Sequence, residues 1–196
     1  MKSNYVIWDA YVDKKKNFCV LDDLDNVEDD FELTKGIPRL LNFPNNAVFS
    51  MDPEYPKNIV LADNAFNVNE LIVVSKALKE FIAGRNIKNV EYLPVTILNH
   101  KNRVAAKDYF IVHPIYLQDG LMIQESGCTW SEIIKDKVNE VTKLVIDETR
   151  IDPDVVLFRL QHFYRPVLVR RDLAEAVSAE AFTGIRWIEL DEYPED

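Results

Sequence analysis

The sequence predicts an α+β protein, a mixed β-sheet carrying a few short helices. Three observations predict it. Short runs of β-branched and aromatic residues recur along the 196-residue chain, the composition of strands that are at least half buried. Apolar stripes of helical period occur only over short stretches. Glycine is scarce, with five residues, which argues against collagen-like, linker-rich and Gly-loop architectures, and no apolar run approaches the roughly 20 residues needed to span a bilayer. The length suits one globular domain with a peripheral part. Eight Tyr, ten Phe and three Trp supply enough bulk for a sizeable core.

Taken in order, Tyr5 to Val12 reads as the first strand. Lys14 to Asn17 makes a polar turn, from which Phe18 to Leu21 is expected to return as a hairpin partner. An acidic segment follows, with Asp22, Asp23, Asp25, Glu28, Asp29, Asp30 and Glu32 around Leu24, Val27 and Phe31. Mutual repulsion predicts that it is extended and solvated. Pro38, Pro44, Pro53 and Pro56 exclude long helices from the next stretch and leave short extended pieces at Ala47 to Ser50 and Ile59 to Leu61. Residues 1–60 thus read as a strand-rich, Pro-interrupted, acidic subdomain, and 61–196 as an α+β domain.

Leu71 to Val74 is a compact strand, and Ser75 caps a short helix on which Leu78, Phe81 and Ile82 form one stripe. Gly84 is placed to end that helix in a left-handed conformation. Val90 to Leu98 is a strand, Asn99 to Asn102 a turn, and Tyr109 to Val112 a strand stopped by Pro114. The spacing of Ile133, Ile134, Val138 and Val141 predicts a helix over 130–141. Two short strands, Leu144 to Ile146 and Val155 to Phe158, flank an Asp-Pro turn. Val167 to Val169, a helix from about Arg171, and a strand over Ile185 to Leu190 close the chain.

Ile72 to Val95 aligns without a gap onto Val167 to Leu190. Ile72 falls on Val167, Leu78 on Leu173, and Tyr92 on Trp187. Identities are few, yet each copy predicts strand, short helix, strand, and two such units would pack their helices on one mixed sheet.

Catalytic patterns are absent from the sequence. There is no Gly-rich phosphate loop, dinucleotide fingerprint or paired Cys or His spacing, so no catalytic residue, metal or cofactor is assigned. Cys19 and Cys128, far apart in sequence, read as buried free thiols, with a disulfide between them as the alternative. A nucleophilic Cys128 would need His100, His113 or His162 beside it in space, and Ser126 to Thr129 carries no activated-thiol pattern. Asp147, Glu148, Asp152 and Asp154 lack the Gly and the alternation of a calcium loop and read as turn caps. Arg159, Arg165, Arg170, Arg171 and Arg186 are positioned to balance the acidic segment within the fold. Tyr92 and Trp187, with apolar neighbours, read as core.

The residues from about Asn69 onward resemble a bacterial polymorphic-toxin immunity protein family, typified by a myxobacterial immunity protein and formerly catalogued as a domain of unknown function. The resemblance is carried by Val73 to Glu80, Val90 to Val95, Tyr109 to Pro114, Val145 to Glu148, Leu157 to Leu160, Asp172 to Ala176 and Thr183 to Trp187. Arg170 stands where the family tends to have a small cap, His113 replaces an expected Asn, and the N-terminal third carries little of the pattern. The resemblance implies a protein that binds and silences a cognate toxin, using no cofactor.

A formal net charge of −10 favours a basic protein partner over nucleic acid or an anionic membrane. Asp22, Asp23, Asp25, Glu28, Asp29, Asp30 and Glu32 are the candidate partner-binding residues, with a merely solvated face as the alternative reading. The start of the chain meets Asp9 before any signal-peptide apolar region, which predicts a cytoplasmic protein. Two other functions stay open from sequence, a hydrolase reversing a toxin's modification and an accessory or chaperone protein for an effector.

Overall fold

A computed structural model describes residues 2–13 and 15–194; Lys14, part of the expected polar turn, lies outside them. The strands and helices in chain order are β1 (Tyr5–Ala10), β2 (Val20–Asp25), β3 (Val48–Met51), β4 (Asn64–Asn67), β5 (Ile72–Ser75), α1 (Lys76–Ala83), β6 (Val90–Leu98) and β7 (Val104–Pro114). They continue with β8 (Thr129–Trp130), β9 (Val138–Glu140), β10 (Leu157–Arg159), β11 (Val167–Arg170), α2 (Arg171–Ser178) and β12 (Ile185–Ile188). The protein is α+β, as its sequence predicts. Strands β2-β3-β6-β7-β5-β4 close a mixed barrel, β10-β11-β1-β12 form an antiparallel sheet, and β8-β9 pair alone. Among the described residues no helix is long and apolar enough to cross a membrane.

The two strand–helix–strand segments adopt the same arrangement. In the barrel, β7 lies between β5 and β6 and runs antiparallel to both, so Ile72, Val112 and Tyr92 form one cross-strand row. In the four-stranded sheet, β1 lies between β11 and β12, and Val167, Trp8 and Trp187 form the equivalent row. Both rows face a shared core that also holds Leu78 and Ile82 of α1 with Leu173 and Val177 of α2. The neighbouring rows point the other way: Val73, Ile111 and Leu93 fill the barrel, while Leu168, Ile7 and Ile188 fill a separate core. The period-2 alternation of a strand produces this split. The gapless alignment in sequence therefore corresponds to matching registers in space.

Strand β1 does not pair with the segment after the turn. Tyr5 to Trp8 are all buried, so this strand needs cover on both faces and sits inside a sheet. Strand β2 instead joins β3 and β4. Leu21 and Leu24 are both buried, although a regular strand would turn residues three apart to opposite faces. A bulge, with Leu21 opposite Met51 and Leu24 opposite Phe49, inserts the extra residue that reconciles them. Asp22 and Asp23 are left exposed by it.

Other expectations change as well. No helix forms over 130–141; β8 and β9 pair there. The hydroxyl of Ser131 accepts from the amides of Ile133 and Ile134, a local turn that competes with helix, and Ile133 ends 94% exposed. Gly84 closes α1 in a right-handed conformation, and Asn86 and Asn89 take the left-handed ones. Ile146 makes only an isolated bridge, to Leu121, and Val60 only one to Phe18. Ser75 does cap α1, its hydroxyl accepting from the Leu78 amide. The equivalent Arg170 offers no such cap and forks onto Asp172 of the first turn, both contacts at 2.9 Å.

Candidate functional site

The acidic segment is structured rather than loose. Strand β2 carries it to Asp25, Asn26 and Asp29 take left-handed backbone conformations, and a 3-10 turn over Asp30–Thr34 buries Leu33. Residues of this kind enter that conformation because short polar side chains tolerate it. Asn69, between β4 and β5, fastens the segment: its side-chain oxygen accepts from the Leu24 amide at 3.0 Å, and its nitrogen reaches Asp30 at 3.3 Å. Asp22, Asp23, Asp25, Glu28 and Asp29 are exposed, while Asp30 and Glu32 are half-buried.

Facing these carboxylates is the loop 36–44. Its Arg39 donates to the Glu32 carboxylate at 2.5 Å and to the Glu28 carbonyl at 2.7 Å. The Glu91 carboxylate on β6 accepts from the amides of Arg39 and Leu40, at 2.7 and 3.0 Å. Beneath it, the His113 ring contacts the Ile37 carbonyl through Nε2 at 2.8 Å, and burial lowers its pKa below the usual histidine range. Between the acidic segment and this loop runs a groove of about 460 Å³, with Glu28, Asp29 and Glu32 on one wall and Ile37, Arg39 and Pro44 on the other.

The arginines expected to neutralise this segment are engaged elsewhere. Arg165 pairs with Glu70, Arg170 with Asp172, Arg171 with Glu189 and Arg186 with Asp9. Arg159 is buried in the core and donates to the carbonyls of Tyr164, Arg165 and Glu70; burial pulls its guanidinium down to about 10, still a cation at neutral pH. The counter-ion of the acidic segment among the described residues is Arg39. Among the described residues, Asp22, Asp23, Asp25, Glu28 and Asp29 form no ion pair.

The remaining candidate groups have local roles. Burial raises the Cys19 thiol to about 11 and also raises Cys128, the wrong direction for an activated nucleophile. Both cysteines are free, and Cys128 is only half-buried. His100 and His162 each contact a backbone carbonyl, of Asp52 and Asp136. Asp147 caps a 3-10 turn through Thr149, Glu148 binds Ser3 and Asn4, Asp152 caps the Asp154 amide, and Asp154 lies 3.6 Å from Lys88. Four carboxylates that cluster in sequence are thus parted in function.

Sequence reasoning missed Asn69 and Glu91, which act on groups far from them along the chain, and Arg39, whose loop folds back onto the acidic turn. It also missed the exposed apolar residues beside the groove: Phe31, Ile37, Leu40 and Leu41. A Leu-Leu pair flanked by Pro38 and Pro44 was the available signal.

No curated protein matches this chain significantly. The family model "Immunity protein family (Imm11)" matches residues 8–192, which extends the likeness through the N-terminal third, including the whole acidic segment. The chain belongs to the Imm11 immunity protein family.

Proposed function

We propose that this protein neutralises a cognate bacterial toxin of a polymorphic toxin system by direct, stoichiometric binding in the cytoplasm, without a cofactor and without catalysis of its own. The observation that carries this reading is the set of exposed carboxylates, Asp22, Asp23, Asp25, Glu28 and Asp29, held on an ordered scaffold without counter-ions among the described residues. Maintaining such a field costs self-repulsion, which a basic partner relieves. The partner is therefore a basic protein surface, and nucleic acid and anionic membranes are repelled by the same charge. Family membership supports an immunity role.

Electrostatic steering acts mainly on the association rate and is screened by salt. The expected result is an association rate with the toxin that falls at least tenfold between about 0.05 and 0.5 M salt. Rates independent of salt would remove the acidic segment from the mechanism.

A further inference from the structure

The loop 36–44 presents two leucines to solvent in a way that its own fold does not explain. Leu40 is 52% exposed and Leu41 97%, with Phe31 and Ile37 partly exposed nearby. Exposed leucines on a mobile loop would carry little meaning. Here the backbone beneath them is fixed. Glu91 holds the Arg39 and Leu40 amides, the Asn42 amide closes a turn onto the Arg39 carbonyl at 2.9 Å, and Tyr116 donates to the Gly36 carbonyl at 2.9 Å. The Arg39 guanidinium ties the loop to the acidic turn through Glu32 and the Glu28 carbonyl. Apolar side chains on a backbone already ordered lose little further entropy on association, the circumstance in which they bind most tightly.

Charge chooses the occupant. Residues 22–41 hold seven carboxylates against two cations, Lys35 and Arg39. Arg39 is spent on Glu32, and the Lys35 ammonium lies 4.3 Å above the Phe31 ring. A second exposed apolar tip, Ile133 and Ile134 with Trp130, has Glu132 and Asp136 offset by Lys135 and Lys137, so it selects no charge.

We infer that Leu40 and Leu41 are the anchor of the toxin interface, inserting into an apolar pocket rimmed by Lys or Arg side chains, which the carboxylates of Glu28 and Asp29 on the groove wall, unpaired among the described residues, receive. This rests on the toxin-binding reading above and adds the place and chemistry of contact. A protein–protein interface commonly concentrates its energy in a few such central residues inside a polar rim.

The test uses the full chain and, as probe, a catalytically inactivated form of the toxin encoded beside its gene, with affinities measured by calorimetry and melting temperatures measured alongside. Leu41→Asp and the double variant Leu40→Asp/Leu41→Asp are expected to melt like wild type and to bind at least about 100-fold more weakly. Ile133→Asp, equally exposed, is expected to bind as wild type does. Leucine variants that keep wild-type affinity, or an Ile133→Asp loss of the same size, would overturn the anchor while leaving toxin binding intact. Sedimentation that shows Leu41→Asp converting a dimer to monomers, with toxin affinity unchanged, would reassign the face to a second copy of this chain and overturn it too. Failure of the wild-type chain to bind would remove the toxin-binding reading and the anchor together.

Discussion

Arg39 and Glu32 meet at 2.5 Å across the acidic groove, and this pair, with the bond from Arg39 to the Glu28 carbonyl, couples the carboxylate-rich turn to the loop that carries Leu40 and Leu41. Both side chains are largely buried, with 15% and 29% of their surfaces exposed. The pair is a strut between two parts of one surface.

Removing the strut tests whether the surface is preorganised. Arg39→Ala is expected to cost about 2 kcal/mol of stability, the size typical of deleting a charge-assisted hydrogen bond at a partly buried site. Amide exchange should rise in residues 28–44 and stay unchanged in α1 and α2. Protection unchanged in the loop would show that Glu91 and His113 hold it unaided.

Arg159 gives a sharper stability test. Its guanidinium satisfies three backbone carbonyls from a fully buried position. Arg159→Met keeps the bulk and strands those acceptors, which predicts a destabilisation of about 3 kcal/mol or more, read as a lower denaturant midpoint. A variant as stable as wild type would mean that water replaces the guanidinium there.

His113 and Glu189 contribute at opposite ends of the acid limb of stability. His113 has a pKa lowered by burial, so the unfolded chain takes up its proton first and stability begins to fall as pH drops below the ordinary 6.5. Glu189, held down to about 2 by the Arg171 guanidinium with help from Lys2, adds stability that is complete above its ordinary 4.5 and lost as pH falls towards 2. His113→Gln should flatten the first phase and leave the second, as followed by denaturant titration at stepped pH. Stability flat from pH 7 to 5 in the wild type would contradict the buried neutral imidazole.

The thiols and imidazoles offer a test of catalysis. Cys128→Ser, His100→Gln and His162→Gln, made separately, are expected to leave cellular protection against the toxin unchanged. Loss of protection in any one, with folding intact, would favour a hydrolase over a binder.

The sequence made the strand–helix–strand segments legible because their side chains report locally: Ser75 accepts from the first turn, Leu78 and Ile82 face one way, and Tyr92 falls in register with Trp187. Pairing partners were not legible. That β1 sits between β11 and β12, and that β7 fills the same place between β5 and β6, depends on residues distant in sequence. The helix expected over 130–141 failed for a local reason, since the Ser131 hydroxyl bonds its own following amides and leaves Ile133 in solvent. For the candidate site, the seven carboxylates were evident in sequence. Their support was not, because Asn69 and Arg39 reach the segment, and Glu91 the loop that faces it, only after folding.

Titration of the toxin's activity with this protein distinguishes stoichiometric binding from catalysis. Stoichiometric binding predicts that activity falls linearly and reaches zero at one equivalent. Replacing Asp22, Asp23, Asp25, Glu28 and Asp29 by their amides should raise the amount needed and blunt the endpoint. Complete silencing by a small fraction of an equivalent, or no silencing at any excess, would contradict the account.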